Sequence, residues 1–157
     1  MTFTAVEPIA PIKTFGPNLP TNAPTKTGDA PTKPGEWPLS KIVEALSKPL
    51  PGHLLETKKL GGRTIAYIPW HKAVLVLNKY APGWNFKIVS IQQIGDELVM
   101  SGSLSIPTAD AGIVTRESTG SEKLNVNGYG EAAANAESQC FRRCCAKFGL
   151  GLYLYQR

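Results

Sequence analysis

The spacing of apolar residues changes several times along the chain and predicts a series of helices and strands. The stretch after Ser40 has the apolar spacing of a short helix, Ser40 is a residue type that caps helices, and Pro49 ends the pattern. Residues 70–80 predict a second helix, because Pro69 suits a first helical turn and the Ala-Pro-Gly sequence at 81–83 stops it. The first half of the chain therefore predicts two short helices.

The central section alternates apolar and polar side chains, which is the pattern of half-buried strands. Residues 84–88 alternate strictly, and the Gly-Asp pair at 95–96 then predicts a turn. Residues 97–107 and 111–118 continue as a second and a third strand, so a meander of three antiparallel strands is expected. Upstream, the glycine pair at 61–62 predicts a turn before another short strand.

The strongest helical signal lies near the end of the chain, in EAAANAESQCFRRCCAKFG at 131–149. Four alanines lie within its first six residues, and Gly149 stands where a helix C-terminal cap is expected. At helical spacing its polar side chains form one stripe: Asn135, Gln139, Arg142 and Arg143, with Lys147 at the edge. Glu137 falls instead on the apolar side, which predicts contact with a neighbouring basic group or a subunit boundary.

Two further segments flank this helix. Residues 119–130 are polar and rich in glycine, so they predict a loop that joins the meander to the helix. After Gly149, the side chains of Tyr153 and Tyr155 have the spacing of a strand.

The first 36 residues differ in composition from the rest of the chain. Eight of the 13 prolines lie at or before Pro38, and no periodic apolar face is present. We predict a disordered, proline-rich tail over residues 1–36, serving as a spacer or as a docking segment for a protein partner, and a folded domain over 37–157. The tail has no arginine and contains acids, which argues against a transit peptide.

The positive charge lies entirely in the predicted domain. The formal net charge is +5, and residues 1–40 contribute three lysines and three acids, so residues 41–157 hold the whole excess. A basic domain indicates a polyanion partner, with an ordinary basic surface as the alternative. No run of 18 apolar residues exists, so no membrane partner is expected. An odd number of cysteines argues against a disulfide framework and favours a reducing, cytoplasmic setting.

The sequence FRRCCAKFG at 141–149 allows three interpretations. A metal site is the weakest, because Cys140 and Cys144 lack a second ligand pair. Thiol chemistry fits somewhat better, since arginines lower a thiol pKa, but the helix dipole opposes a thiolate near the helix C-terminus. Anion binding fits best, because the forked guanidinium groups of Arg142 and Arg143 suit phosphate oxygens. A solvated face, or a salt bridge to a nearby glutamate, is the alternative.

A second group of basic residues lies earlier in the chain and is interleaved with aromatic residues. It comprises Lys58, Lys59, Arg63 and Lys72, close in sequence to Tyr67 and Trp70. Cations that follow a phosphate backbone, with aromatic rings beside them, suit single-stranded nucleic acid. For the aromatic side chains, a place in the core or in an interface is the alternative to base stacking.

The order of these pieces resembles the Rad52 family of single-strand annealing proteins over roughly residues 38–157. The resemblance rests on RTIAYIPWHKAVLVLNKYAPGWNFKI, on the meander that follows, on Gly128-Tyr129-Gly130 and on AESQCFRRCCAKFGLGLYLY. Bacterial and phage members, including the DdrA-type DNA end-protection proteins, are the most similar. A bacterial or phage-encoded protein, cytoplasmic and associated with the nucleoid, is therefore expected.

The resemblance implies an α+β fold with a βββα core, in which the antiparallel meander packs on the long helix and subunits form a ring or an arc. Single-stranded DNA would lie in an outer groove between a β-hairpin and this helix, with its bases facing outward. The matching DNA-binding residues are Arg142 and Arg143 on the helix, Tyr67 beside the groove, Lys58 or Lys59 on the hairpin, and His71 and Lys72 at the next helix start. Lys147 would take the place of a further arginine that the family has on this helix. Arg63 is added to the predicted DNA-binding residues because it belongs to the basic group around Tyr67.

The expected function is ATP-independent binding of single-stranded DNA and annealing of complementary strands in recombinational repair, without enzymatic activity. The sequence has no G-x-x-x-x-G-K-[ST] loop to cradle phosphates and no acidic cluster for metal-dependent nuclease chemistry, so no cofactor and no metal are expected. Two alternatives remain open. One is a protein that coats strands or protects ends without annealing; the other, less favoured, is a thiol-based redox or metal-binding protein.

Overall fold

The computed structural model describes residues 30–124 and 131–156, and these form an α+β fold, as the sequence predicted. The three α-helices of this part of the chain are α1 (Leu39–Ser47), α2 (Trp70–Tyr80) and α3 (Ala132–Lys147). The five strands are β1 (Glu56–Leu60), β2 (Arg63–Tyr67), β3 (Asn85–Ile94), β4 (Glu97–Thr108) and β5 (Gly112–Lys123). None of these helices is long and apolar enough to cross a membrane.

The strands form two separate antiparallel sheets. β1 and β2 make a hairpin around Gly61 and Gly62, whose φ angles of 55° and 76° suit glycine far better than other residues. β3, β4 and β5 make the predicted meander, in that spatial order. Along β3 the alternation seen in the sequence is confirmed, since Phe86 and Ile88 are half-buried whereas Asn85 and Lys87 are exposed.

Helix α3 packs across the meander and closes the core. Its buried side is made of small and aromatic side chains, and the fully buried ones include Cys140, Cys144 and Cys145. The approach to β5 is close enough that Gly120 has no room for a side chain, because a Cβ there would lie 2.6 Å from the amide nitrogen of Cys140. Thus the meander and α3 realise the βββα core that the family resemblance implied.

Strand β5 is longer than the sequence indicated. A loop was predicted to begin at residue 119, but the strand continues to Lys123, which pairs with Glu97 at the far end of β4. The polar side chains of this stretch are compatible with a strand because one of its faces is open to solvent. The rest of the predicted loop, including Gly128-Tyr129-Gly130, falls outside the described residues.

Two local predictions were wrong. Ser40 does not cap α1, because the helix already begins at Leu39. The Leu39 N–H donates to the Asp110 carboxylate at 2.9 Å, and Asp110 lies in the turn between β4 and β5. Leu152–Tyr155 is a 3₁₀ turn rather than a strand, since Gly151, with φ of 69°, turns the chain back on itself.

The beginning of the described chain packs on the domain. The Glu36 carboxylate accepts hydrogen bonds from the Thr32 N–H at 2.6 Å and the Lys33 N–H at 3.1 Å, and these lower its pKa. Pro34 packs on Gly83, where a Cβ would lie 2.7 Å from the proline ring. The predicted tail lies mostly outside the described residues, and a domain boundary at residue 36 stays a prediction.

Candidate nucleic-acid interface

A groove of about 340 Å³ runs between the β1–β2 hairpin and the outer face of α3. Its polar and aromatic lining consists of Lys58, Tyr67, Glu122, Gln139, Arg142, Arg143 and Tyr155, and the rest is apolar or glycine. Three cations and one carboxylate give this lining a formal charge of +2. The groove therefore offers an anion a cationic surface with aromatic rings beside it.

Tyr67 lies at the centre of the cationic side chains. The Arg142 guanidinium carbon and the Lys58 ammonium nitrogen are each 5.4 Å from the centroid of its ring. A cation at this distance is attracted by the electron-rich face of the ring. Tyr67 therefore links the hairpin wall of the groove to the helix wall and holds two cations that are far apart in sequence.

The hydroxyl group of Tyr67 is fixed by a polar network at the base of the hairpin. It donates to the Glu56 carboxylate at 3.1 Å, and the same carboxylate pairs with the Lys72 ammonium at 3.3 Å. Lys72 also donates to the His53 carbonyl at 3.0 Å. Burial, together with the bond to Glu56, raises the pKa of Tyr67 above its ordinary value.

The helix wall owes its geometry to the packing of α3. Phe141, Cys144 and Cys145 are buried, so the two arginines between Phe141 and Cys144 point outward. The Arg143 guanidinium donates to the Thr119 carbonyl of β5 at 3.0 Å, which anchors one edge of the fork. Arg142 instead faces Tyr67. The predicted polar stripe of the helix is thus divided between the groove and β5.

Five of the residues predicted for DNA binding lie outside the groove lining: Lys59, Arg63, His71, Lys72 and Lys147. Lys59 follows Lys58 on a strand, so it points to the opposite face of the hairpin. Arg63 lines a shallower hollow beside the C-terminal 3₁₀ turn. A role for either one in DNA binding stays a prediction.

The remaining three have other neighbours. Lys72 is engaged by Glu56, and His71 packs edge-on against Trp70 with ring centroids 5.8 Å apart. The Lys147 ammonium donates to the Glu117 carbonyl of β5. The geometry therefore gathers Lys58, Tyr67 and the arginine pair into one site and places these three residues around it.

Sequence reasoning did not identify the acidic member of the groove. Glu122 lies on the part of β5 that was predicted to be loop, and its carboxylate accepts a hydrogen bond from the Gln139 amide at 3.4 Å. Gln139 itself belongs to the polar stripe predicted for the helix. A strand predicted through residue 123 would have indicated that Glu122 is part of this surface. The segment was predicted as a loop because its residues are polar.

The three cysteines are free and fully buried. Burial raises the pKa of Cys140 and Cys145, and raises that of Cys144 to about 12. Thiolate is the reactive form of cysteine, so the packing opposes thiol chemistry at neutral pH. Among residues 30–124 and 131–156, no group of three or more metal-ligating side chains lies together.

The thiols are therefore expected to be unreactive in the native protein. A thiol-specific chromogenic reagent added at mildly alkaline pH should modify none of the three within minutes, and all three once denaturant is added. Rapid modification of even one thiol in the native protein would contradict the buried, protonated state. The sample in denaturant controls for prior oxidation.

The cationic and aromatic lining of the groove makes it a candidate polyanion-binding surface. Comparison with known proteins shows the family to which the chain belongs. No protein-family model matches the chain. It is 38% identical over 120 residues to the DNA repair RAD52-like protein 1, mitochondrial, of Arabidopsis thaliana, covering 75% of this chain and 68% of the relative. It is 35% identical over 123 residues to the DNA repair RAD52-like protein 2, chloroplastic, of the same plant, covering 75% of this chain and 61% of the relative.

The chain therefore belongs to the Rad52 family, which places it among proteins of DNA repair and recombination. This confirms the family indicated by the sequence motifs. The expectation of a bacterial or phage-encoded cytoplasmic protein was wrong, since both relatives are plant proteins whose names assign them to mitochondria and chloroplasts. The sequence motifs thus indicated the family but not the origin of the protein.

Proposed function

We propose that this protein binds single-stranded DNA in the groove between the β1–β2 hairpin and α3, and anneals complementary strands without ATP or enzymatic chemistry. The observation that carries the proposal is the convergence of Lys58 and Arg142 on Tyr67, with Arg143 in the lining of the same groove. Arginine forks bind phosphate oxygens through charge-assisted hydrogen bonds, and each neutralised phosphate releases counterions.

The shape of the groove supports a single strand better than a duplex. Its three cations lie on the two walls of one groove, beside a single aromatic ring, and not across the broad surface that a duplex would contact. A backbone held there with its phosphates against the arginines leaves its bases toward solvent. A strand presented in this way lacks competing hairpins and is ready to pair.

Assembly of several subunits into a ring or an arc is part of the proposal. One groove with a formal charge of +2 contacts only a few phosphates and binds weakly by itself. Grooves aligned on neighbouring subunits would act on one strand, because each bound groove raises the effective concentration of the next. The DNA repair assignment of the family agrees with such an activity.

An annealing assay across a salt series tests this function. Two complementary labelled strands, mixed with the wild-type protein, should pair at least about tenfold faster than without it, and the gain should decline steeply as salt screens the phosphate contacts. ATP should change neither result. Strand binding with no gain in pairing would instead identify a coat or end-protection protein, and no binding at all would refute the groove as a DNA site.

A further inference from the structure

A second hollow, of about 410 Å³, lies between α2, β3 and α3 and shares no residue with the groove. Trp84 and Phe86 pack against Phe141 with ring centroids 5.7 Å and 5.1 Å apart, and they form an ordered aromatic floor. Trp70 stands at the side of the hollow and is 53% exposed. Exposed aromatic surface that lines a concave site is typical of ligand- and peptide-binding surfaces.

Glu137 is the charged residue in the lining of this hollow. It is exposed, it lies on the side of α3 predicted to be apolar, and within residues 30–124 and 131–156 it makes no ion pair. A carboxylate beside an aromatic surface complements a ligand that is apolar along its length and basic at one end. The sequence had indicated a basic neighbour or a subunit boundary for this residue, and the described residues provide no ion pair for it.

The N-terminal segment of the chain contains a sequence with this character. Pro8-Ile9-Ala10-Pro11-Ile12-Lys13 has two prolines at P-x-x-P spacing, followed by a lysine two residues later. Proline restricts φ near the polyproline II value, and that helix has three residues per turn, so Pro8 and Pro11 share one edge. Grooves lined with aromatic residues are the surfaces that recognise such an edge.

The described chain also begins beside the hollow. Pro34 packs on Gly83, and the next residue is Trp84 of the aromatic floor. From residue 13 to residue 30 the chain can extend by about 56 Å at roughly 3.3 Å per residue, which is far more than the dimensions of a hollow of this volume. The segment can therefore return to the hollow of its own subunit without strain.

We propose that residues 8–13 dock in this hollow of their own subunit as a polyproline II segment. Pro8 and Pro11 would pack on Trp70 and the aromatic floor, and Lys13 would pair with Glu137. The tail then covers apolar surface that residues 30–124 and 131–156 leave open. This site is independent of the groove, so it can be tested without DNA.

Acrylamide quenching of tryptophan fluorescence in the full-length chain provides the first test. The chain has three tryptophans, and Trp37 is already buried, so Trp70 dominates the exposed signal. The motif variant, Pro8→Ala/Pro11→Ala/Lys13→Glu, should be quenched about twofold more strongly than wild type, because a large aromatic side chain becomes uncovered. The control variant, Pro17→Ala/Pro20→Ala/Lys26→Glu, removes a second P-x-x-P pair, which has no lysine close behind it, and should match wild type.

A charge exchange tests the pairing at the basic end of the motif. Lys13→Glu and Glu137→Lys should each raise quenching, and the double variant should return it toward wild type, since an opposite pair is restored. Glu137 tolerates substitution because its side chain is exposed. Equal quenching of the motif and control variants, or no recovery in the double variant, would overturn the proposal.

Photo-crosslinking identifies the subunit that the segment contacts. A benzophenone amino acid at position 12 should crosslink to α3 or β3, and in a mixture of light and heavy isotope-labelled chains the crosslinked peptides should carry a single label. Crosslinks of mixed label would place the segment on a neighbouring copy. Crosslinks elsewhere in the molecule would show that residues 8–13 do not dock in the hollow. Either result rejects docking in the same subunit.

Discussion

Replacing Arg142 and Arg143 together by alanine is expected to weaken binding of single-stranded DNA by about a hundredfold at moderate salt, because each charge-assisted bond to phosphate contributes roughly 1–3 kcal/mol. Arg142 faces Tyr67 across the groove and Arg143 is held by the Thr119 carbonyl, so both guanidinium groups are ordered before DNA arrives. Little side-chain entropy is then lost on binding. Fluorescence anisotropy of a labelled oligothymidine measures the affinity.

A charge-matched variant separates a specific site from a general effect of positive charge. Lys48→Ala/Lys79→Ala also removes two cations, and both residues line a different hollow, between the end of α1 and α2. The affinity of this lysine variant should stay within about threefold of wild type, and its dependence on salt concentration should be nearly unchanged. In the arginine variant, the slope of log affinity against log salt should fall by an amount that corresponds to about two phosphate contacts. Similar losses in the two variants would show that DNA binds by net charge and not in the groove.

Gly120→Ala is expected to be the most damaging single substitution for stability, with a loss of about 3 kcal/mol or more in the free energy of unfolding. An added methyl group would lie 2.6 Å from the Cys140 amide nitrogen and closer still to the Ala136 carbonyl oxygen. Both are backbone atoms, so no side chain can rotate away. Relief requires α3 to move off the sheet, and that movement would also displace the arginines of the groove.

Urea unfolding followed by circular dichroism measures this loss, and Gly52→Ala is the matched control. A Cβ at Gly52 would have no atom within 4 Å, and its φ is not positive, so its effect should stay within about 0.5 kcal/mol. If the two variants unfold at the same urea concentration, α3 does not approach β5 as closely as the structure has it.

The fold was largely predictable because the apolar spacing matched the local structure. The helix predicted over 70–80 has those bounds in the structure, and the Gly61-Gly62 turn was recognised because glycine accommodates the φ angles it requires. One of the wrong predictions was decided by a distant contact. The start of α1 is capped by Asp110, about 70 residues later, and no local pattern carries that information.

The candidate site, like the fold, was predictable only in part. The arginine pair was visible in the sequence because two adjacent cations stand beside buried residues of an amphipathic helix. The sequence did not show which lysine faces these arginines. Lys58 and Lys59 are adjacent residues of the same type, and they differ only in the face of the strand from which they point. Lys147 lies at the edge of the same stripe, but its ammonium is satisfied by a carbonyl of β5, a contact that depends on how the helix is set on the sheet.

The two walls of the groove belong to different structural units. All five residues of β1 are exposed, and the hairpin is a sheet of its own, joined to α2 through the Tyr67–Glu56–Lys72 contacts. The opposite wall rests on the buried core. A two-stranded element with little apolar burial opens at lower free energy than the core beneath it. Under the proposed function, local opening of the hairpin would let a bound strand slip or be exchanged while the domain that carries it stays folded.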